Sequence, residues 1–260
     1  KQSTPALSAQ VLALGERLST RLGAAFLKKN AMNVAWYDSR DLLVSINDPS
    51  ENVHSLYLAA HCAYETDHEL IKKLDAEPAQ VIITRGFIAA NTAGETVVLG
   101  RGGSDTSGAY FAAKLNAIKY QIWTDVPGIY SANPHQVPEA QLLQVLDYAE
   151  AQEIAAMGAK VLHPRTLFPV KYHNIPLYIG NTFNPNHPGT LICNDALHGD
   201  QKIKAVLARY SLTLISIETL DMWQKVGFLA DVFAVFKRHG VSVDLVSTSE
   251  TNITVSVDLK

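Results

Sequence analysis

Thr96-Val97-Val98-Leu99-Gly100-Arg101-Gly102-Gly103-Ser104-Asp105-Thr106-Ser107 is the stretch on which the fold turns. Thr96–Leu99 reads as a short buried strand, and the alanine-rich run over residues 106–116 reads as a helix. Between them stand three glycines, an arginine, a serine and an aspartate. Glycines let a backbone turn sharply and approach a ligand closely. A helix N-terminus offers unpaired N–H groups and partial positive charge, which suits an anion. Ser104 or Asp105 is placed to cap the helix, and Arg101 adds a planar fork for a carboxylate or phosphate. The spacing is neither G-x-G-x-x-G nor a Walker loop, so neither of those mechanisms transfers. Taken alone, the loop is equally compatible with a tight strand-to-helix turn carrying a surface arginine.

Upstream, residues 8–29 read as one amphipathic helix, with Val11, Leu14, Leu18, Leu22, Ala25 and Phe26 on one face. Glu16, beside Gly15, either faces a ligand or is a solvated helix carboxylate. Residues 34–38 read as a strand, 42–46 as a second short one, and 55–76 as largely helical with an interruption near Glu65-Thr66-Asp67. Residues 79–84 form an apolar strand of the parallel-sheet kind that runs into Arg85-Gly86-Phe87-Ile88. Loops at the carboxyl ends of parallel strands are where α/β proteins bind ligands.

Downstream the pattern repeats. Residues 120–124 read as a strand that ends in Thr124-Asp125-Val126-Pro127-Gly128-Ile129-Tyr130. Asp125 there either helps hold a nucleotide or forms the turn before Pro-Gly. Residues 147–157 read as a helix, and Lys160 beyond it either reaches a phosphate or lies in solvent. His163 is expected to cap or pack the helix that starts at Pro164. Residues 176–180 and 190–193 read as strands, the latter at an edge. This alternation implies α/β architecture with a mainly parallel sheet between helices.

Residues 194–202 are polar and read as a linker. Beyond them, 204–209 and 213–218 read as strands, 226–238 as a helix capped by Gly240, and 243–248 with 252–259 as a hairpin. This β-α-β-β order is the front part of a ferredoxin-like α+β module. The expected boundaries are 1–195 for the first domain and 203–260 for the second.

Composition narrows the function classes. The 260 residues, 47% of them apolar, suffice for one large domain or two modest ones with a sizeable core. A net charge of −3 gives no electrostatic case for nucleic acid. Two cysteines, Cys62 and Cys193, make neither a disulfide framework nor a zinc pattern and point to a reducing, cytoplasmic setting. No run approaches the roughly 20 apolar residues of a membrane span. Lys1-Gln2-Ser3-Thr4-Pro5-Ala6 is not a signal peptide. It lacks a methionine, so the reading frame is expected to start upstream.

In order along the chain, Gly15-Glu16-Arg17-Leu18-Ser19-Thr20, Thr84-Arg85-Gly86-Phe87-Ile88, Leu99–Asp105, Trp123–Tyr130, Tyr148-Ala149-Glu150-Ala151, Gly158–Pro164 and Pro188-Gly189-Thr190 together resemble the aspartokinases of the amino-acid kinase family. Residues 227–233 and 242–250 resemble the ACT module of its lysine-sensitive members. The resemblance implies transfer of the γ-phosphoryl group of ATP to the β-carboxylate of L-aspartate, an early step of amino-acid biosynthesis under feedback control. Phosphoryl transfer depends on positioning and charge neutralisation more than on covalent help.

Carried over residue by residue, the resemblance implies that Arg101 pairs with a substrate carboxylate and Glu16 accepts from the aspartate ammonium. Phe87 and Ser104 would line that pocket. Asp105 would orient a catalytic lysine. Thr124, Asp125 and Tyr130 would hold the nucleotide, with Lys160 and Val161 on its far side. Magnesium (Mg2+) would sit mainly on phosphate oxygens, with no protein ligand. Met222, Gly227, Phe228, Leu229, Asp244, Thr248, Ser249 and Glu250 match positions that bind an amino-acid effector, expected to be lysine. A homo-oligomer formed through ACT modules is implied as well.

The chain departs from the family in three places. The Lys-Phe-Gly-Gly-Thr-Ser strand that carries the catalytic lysine is not present in it. Asn133-Pro134-His135 stands where Asp-Pro-Arg is common, which weakens phosphate neutralisation. Gln224, Lys225 and Val226 replace small or polar residues at the mouth of the effector site. A different carboxylate kinase of the same fold and a catalytically silent amino-acid sensor are the competing readings.

Overall fold

The structure, a computed structural model, describes residues 4–157, 161–194, 203–210, 212–219 and 225–257. Its packing divides the chain into two compact units, Lys1–Leu207 and Ala208–Lys260. The expected linker at 194–202 lies outside the described residues, except for Asn194.

The first unit opens with α1 (Pro5–Leu12) and α2 (Leu14–Lys29), broken at Ala13 where one helix was expected. The side of this pair that packs is made of alanines, with Ala9, Ala13 and Ala24 buried, while Val11, Leu14, Leu18, Leu22 and Phe26 are exposed. Strands β1 (Val34–Trp36) and β2 (Val81–Ile83) pair in parallel. Between them, α3 (Val53–Leu58) and α4 (His68–Asp75) are separated by a longer break than the sequence suggested. Residues 42–46 contribute only isolated bridges at Val44 and Ser45. A β3–β4 hairpin (Ile88–Ala90, Thr96–Val98) is buried throughout and leads into α5 (Gly103–Lys114).

The second half of this unit is a four-stranded sheet in the order β5-β7-β8-β6. It comprises β5 (Tyr120–Thr124), β6 (Val145–Leu146), β7 (Leu177–Asn181) and β8 (Thr190–Ile192). The pairs β5/β7 and β6/β8 are parallel, and β7/β8 is antiparallel. Strand β8 is therefore interior rather than an edge. The two-residue β6, too short to be read from sequence, covers its outer side. Helix α6 (Tyr148–Ala156) starts with a reciprocal capping box between Asp147 and Glu150. Helix α7 (Pro164–Tyr172) is capped by His163, as its sequence predicts. The core of this half joins α5, α6, α7 and the sheet through Ala109, Ile122, Leu146, Ile154, Leu167 and Ile179.

Residues 204–209, expected as a strand, have no regular structure. Their alternation instead places Ala205 and Leu207 against the core of the first unit. Val206 N–H donates to the Ser131 carbonyl at 2.8 Å, and Lys204 pairs with Glu150.

The second unit is a three-stranded antiparallel sheet, β10-β11-β9 (Val243–Thr248, Asn252–Val257, Thr213–Glu218), with α8 (Phe228–Arg238) packed on one face. Ile253, Val255 and Val257 meet Phe228, Val232, Phe233 and Phe236 in its core. Among the described residues no helix is long and apolar enough to cross a membrane.

Candidate active site

The loop between β4 and α5 is held from both sides. Gly100 and Gly102 take left-handed backbone conformations, with φ of 75° and 65°. A side chain on Gly102 would begin 2.5 Å from His163 Cβ, and one on Gly103 would begin 2.5 Å from a Phe87 ring carbon. Phe87 itself has φ of 68°, a costly conformation for a bulky residue. It is fixed there by the Ser107 hydroxyl, which accepts its N–H at 3.1 Å, and by the Leu99 N–H, which donates to its carbonyl at 2.9 Å. Strain stored beside a glycine loop at a sheet end is a common mark of a functional site.

Arg101 and Ser104 project from this loop and are exposed. Among the described residues nothing pairs with the Arg101 guanidinium or the Glu16 carboxylate. Asp105, in the first turn of α5, is partly buried, and desolvation pushes its carboxyl up from the ordinary carboxylate value. Its carboxylate likewise has no partner among the described residues. The backbone around it is anchored, since the Tyr120 hydroxyl donates to the Asp105 carbonyl at 2.9 Å. An unpaired guanidinium suits a carboxylate or phosphate, and an unpaired carboxylate suits an ammonium.

Helix α2, which carries Glu16, is tied to β1 through Trp36. The Trp36 indole N–H donates to the Thr20 hydroxyl at 3.2 Å, and that hydroxyl donates to the Glu16 carbonyl at 2.7 Å. Two guanidinium groups lie on the Trp36 ring, Arg21 at 4.6 Å and Arg85 at 5.2 Å from its centroid. Arg85 is 1% exposed and ion-pairs with Asp38, which also holds Arg40 at 2.8 Å. Sequence reasoning passed over Arg85. Its one signal was a charge set between an apolar strand and a glycine, where an arginine survives burial only if paired.

The nucleotide candidates lie at the carboxyl end of β5. The Thr124 hydroxyl donates to Asp125 Oδ1 at 3.0 Å, the Thr182 N–H to the Thr124 carbonyl at 2.8 Å, and the Asn181 amide to the Asp125 carbonyl at 3.3 Å. Asn181, unmarked in the sequence, thus joins this group from the adjacent end of β7. Tyr130 bridges to Leu142 in the loop that follows. Val161 packs on the core, whereas Lys160 lies outside the described residues. Tyr120, at the opposite end of β5 from Thr124, ties that strand to the first turn of α5.

In the second unit, Gly227 takes φ of 89° at the start of α8, next to Phe228 and Leu229. Strands β9 and β10 both run antiparallel to β11, so the end of β10 and the start of α8 lie at the same end of this unit. Thr248, Ser249 and Glu250 are there, with the Ser249 N–H donating to the Asn252 carbonyl at 2.8 Å. Asp244 sits at a β-bulge near the other end of β10, about 13 Å along an extended chain. Arg209 Nη1 lies 3.2 Å from its carboxylate. Met222 lies outside the described residues.

The amino acid kinase family model matches residues 1–181, and an ACT domain model matches residues 215–260. The chain is 36% identical over 256 residues to lysine-sensitive aspartokinase 3 of Escherichia coli, covering 98% of this chain and 56% of that protein. It superposes on the crystal structure of Escherichia coli aspartokinase III in complex with aspartate and ADP, the R-state, with a TM-score of 0.82, covering 99% of this chain and 56% of that one. On the T-state of that enzyme, in complex with lysine and aspartate, the TM-score is 0.78 over 98% of this chain and 56% of that one. The chain spans about half the length of these relatives. The single family model takes in the glycine loop, the strained Phe87 and the Thr124-Asp125 strand end together, and on that match the chain belongs to the amino acid kinase family.

Proposed function

We propose that this chain is the catalytic and effector-sensing part of an aspartate kinase that makes 4-phospho-L-aspartate from L-aspartate and ATP. The observation that carries the reading is the 36% identity to a lysine-sensitive aspartokinase, alongside Arg101, Glu16 and Asp105 side chains that have no partner among the described residues. Arg101 pairs with the α-carboxylate of aspartate, and Glu16 accepts from its ammonium. Phe87 and Ser104 wall the pocket and leave the β-carboxylate facing the nucleotide.

A β-carboxylate oxygen attacks the γ-phosphorus, the bond from phosphorus to the bridging oxygen breaks, and ADP leaves with the electron pair. Thr124, Asp125 and Tyr130 hold the nucleotide, and Lys160 and Val161 flank it. The donor set fits an anionic substrate, because Arg101, beside the N-terminus of α5, has no partner among the described residues. The partly buried Asp105 carboxylate suits a neighbouring ammonium, which would restore its charged form. Magnesium, carried on phosphate oxygens, supplies charge neutralisation in the transition state.

Lysine is the effector proposed for the second unit. Gly227 and the first N–H groups of α8 would receive its carboxylate, and Glu250 an ammonium. The assembly is taken to be a cytoplasmic homo-oligomer joined through ACT modules, and light scattering that gives a clean monomer with and without lysine would remove that part of the proposal.

The test of the reaction is ADP release from Mg-ATP with L-aspartate, with L-glutamate and with no acceptor, each with and without lysine or threonine. Turnover with aspartate alone, lowered by lysine, is expected. Equal ADP release with and without acceptor would overturn the reading.

A further inference from the structure

We propose that Arg165 is a positioning residue for the acceptor loop, holding the peptide that enters Gly100–Gly103 so that Arg101 presents its fork to the substrate. The proposal rests on the kinase reading above. Arg165 is the second residue of α7, directly after the Pro164 that follows the His163 cap. Its guanidinium spans two separate pieces of chain, Leu99 and the run Ala59–His61. Nη1 donates to the Leu99 carbonyl at 3.2 Å. Nη2 donates to the Ala60 carbonyl at 3.0 Å and the Ala59 carbonyl at 3.5 Å, and lies 2.9 Å from His61 Nδ1.

These partners form one junction. Leu99 is the last residue before the glycine turn. Gly100 packs on the same 58–59 segment, where an added side chain would begin 3.2 Å from the Leu58 carbonyl and 3.3 Å from Ala59 Cα. The Ala60 N–H donates to the Val98 carbonyl at 3.0 Å. A glycine pair in left-handed conformations has many alternative backbone paths, and the peptides that bracket it decide which is taken. Arg165 fixes the carbonyl on the entry side, and His163, two residues earlier, closes on Gly102. Helix α7 therefore grips the loop through two neighbouring side chains.

The residue type matters. A planar guanidinium with several donors in fixed directions can bridge carbonyls from two segments at once, whereas a lysine ammonium presents a single compact charge. Arg165 touches no substrate in this arrangement and acts only through the Leu99 peptide.

The test compares wild type with R165M and R165K. One readout is hydrogen exchange at the Leu99 and Gly103 amides, whose acceptors are the carbonyls of Phe87 and Gly100. The other is KM for aspartate against KM for ATP. For R165M, exchange at both amides is expected to rise about tenfold, and KM for aspartate about tenfold with KM for ATP within about twofold, because misplacing a substrate fork costs binding at that substrate alone. R165K is expected to fall between the two, and it carries the comparison if R165M does not fold. Unchanged exchange, or parallel rises in both KM values, overturns the proposal. If wild type does not phosphorylate aspartate, the kinase reading fails and exchange alone decides whether Arg165 holds the loop.

Discussion

His163 closes on Gly102 so tightly that Gly102 has no room for a methyl group, a side chain there beginning 2.5 Å from His163 Cβ. The contact joins the start of α7 to the acceptor loop, and the left-handed φ of 65° adds a second objection to any side chain. G102A is expected to lose about 2–4 kcal/mol, combining the left-handed penalty with overpacking. G23A is the contrast, because Gly23 lies in α2 with nothing within 4 Å of its added carbon. It is expected to stabilise by about 0.5–1 kcal/mol. Urea unfolding of the two variants checks both signs.

R101A should raise KM for aspartate far more than KM for ATP. Loss of charge-assisted pairing corresponds to about 2–4 kcal/mol, divided between binding and turnover. Steady-state kinetics with each substrate varied separately is the measurement. Equal effects on both would remove Arg101 from the acceptor pocket.

D105N should be more stable than wild type yet inactive. Burial raises the Asp105 carboxyl pKa, so the folded state binds the proton more tightly than the unfolded state does. Stability from this group is thus present at low pH and is lost as pH rises from the ordinary value of 3.8 through the raised one. At pH 7 the neutral amide removes that burden, by on the order of 1 kcal/mol. The advantage should vanish near pH 4, which melting curves of both proteins across pH will show.

His163 and His61 give the opposite pH signature. Both pKa values lie below 6.5, each through burial first and then through the charge of Arg165, with Arg101 acting on His163 as well. The fold holds both rings neutral, and His163 Nδ1 accepts the Arg165 N–H at 3.3 Å. Their contribution is complete above pH 6.5 and is lost as pH falls through that value toward the lowered ones. Tm is expected to drop from pH 7.5 to 5.5, and to drop less in H163N, which keeps a capping side chain. An identical pH profile in H163N would show that His163 is not the titrating group.

The parts legible in the sequence were those set by local rules. The His163-Pro164 cap, the Asp147–Glu150 helix start, the apolar strand 120–124 and the β-α-β-β order of the second unit all follow from short-range chemistry. What the sequence left hidden depends on distant partners. Alternation over 204–209 looks the same whether its apolar side enters a sheet or lies on a neighbouring core, and here Leu207 does the latter. The interior place of β8 required β6, whose two residues carry no periodicity. Arg85 and Arg165 carry no local signal of their contacts, since arginine is usually a surface residue. Their placement depends on Asp38 and on the Leu99 and Ala60 carbonyls, far away in sequence. Glu16, Arg101 and Asp105 stand out in the sequence itself, their specific roles come from the resemblance, and the structure adds that none of them has a partner among the described residues.

The loop pinned between Phe87 and His163 also bears on how this protein changes over generations. Gly102 and Gly103 accept no side chain, and Gly100 is nearly as confined. Under the proposed kinase function, inherited variation in acceptor preference is thereby channelled away from the backbone of the turn and into Arg101 and Ser104, the two exposed side chains it carries. A lineage drifting toward a shorter or longer acid would alter those two positions and leave the glycines untouched.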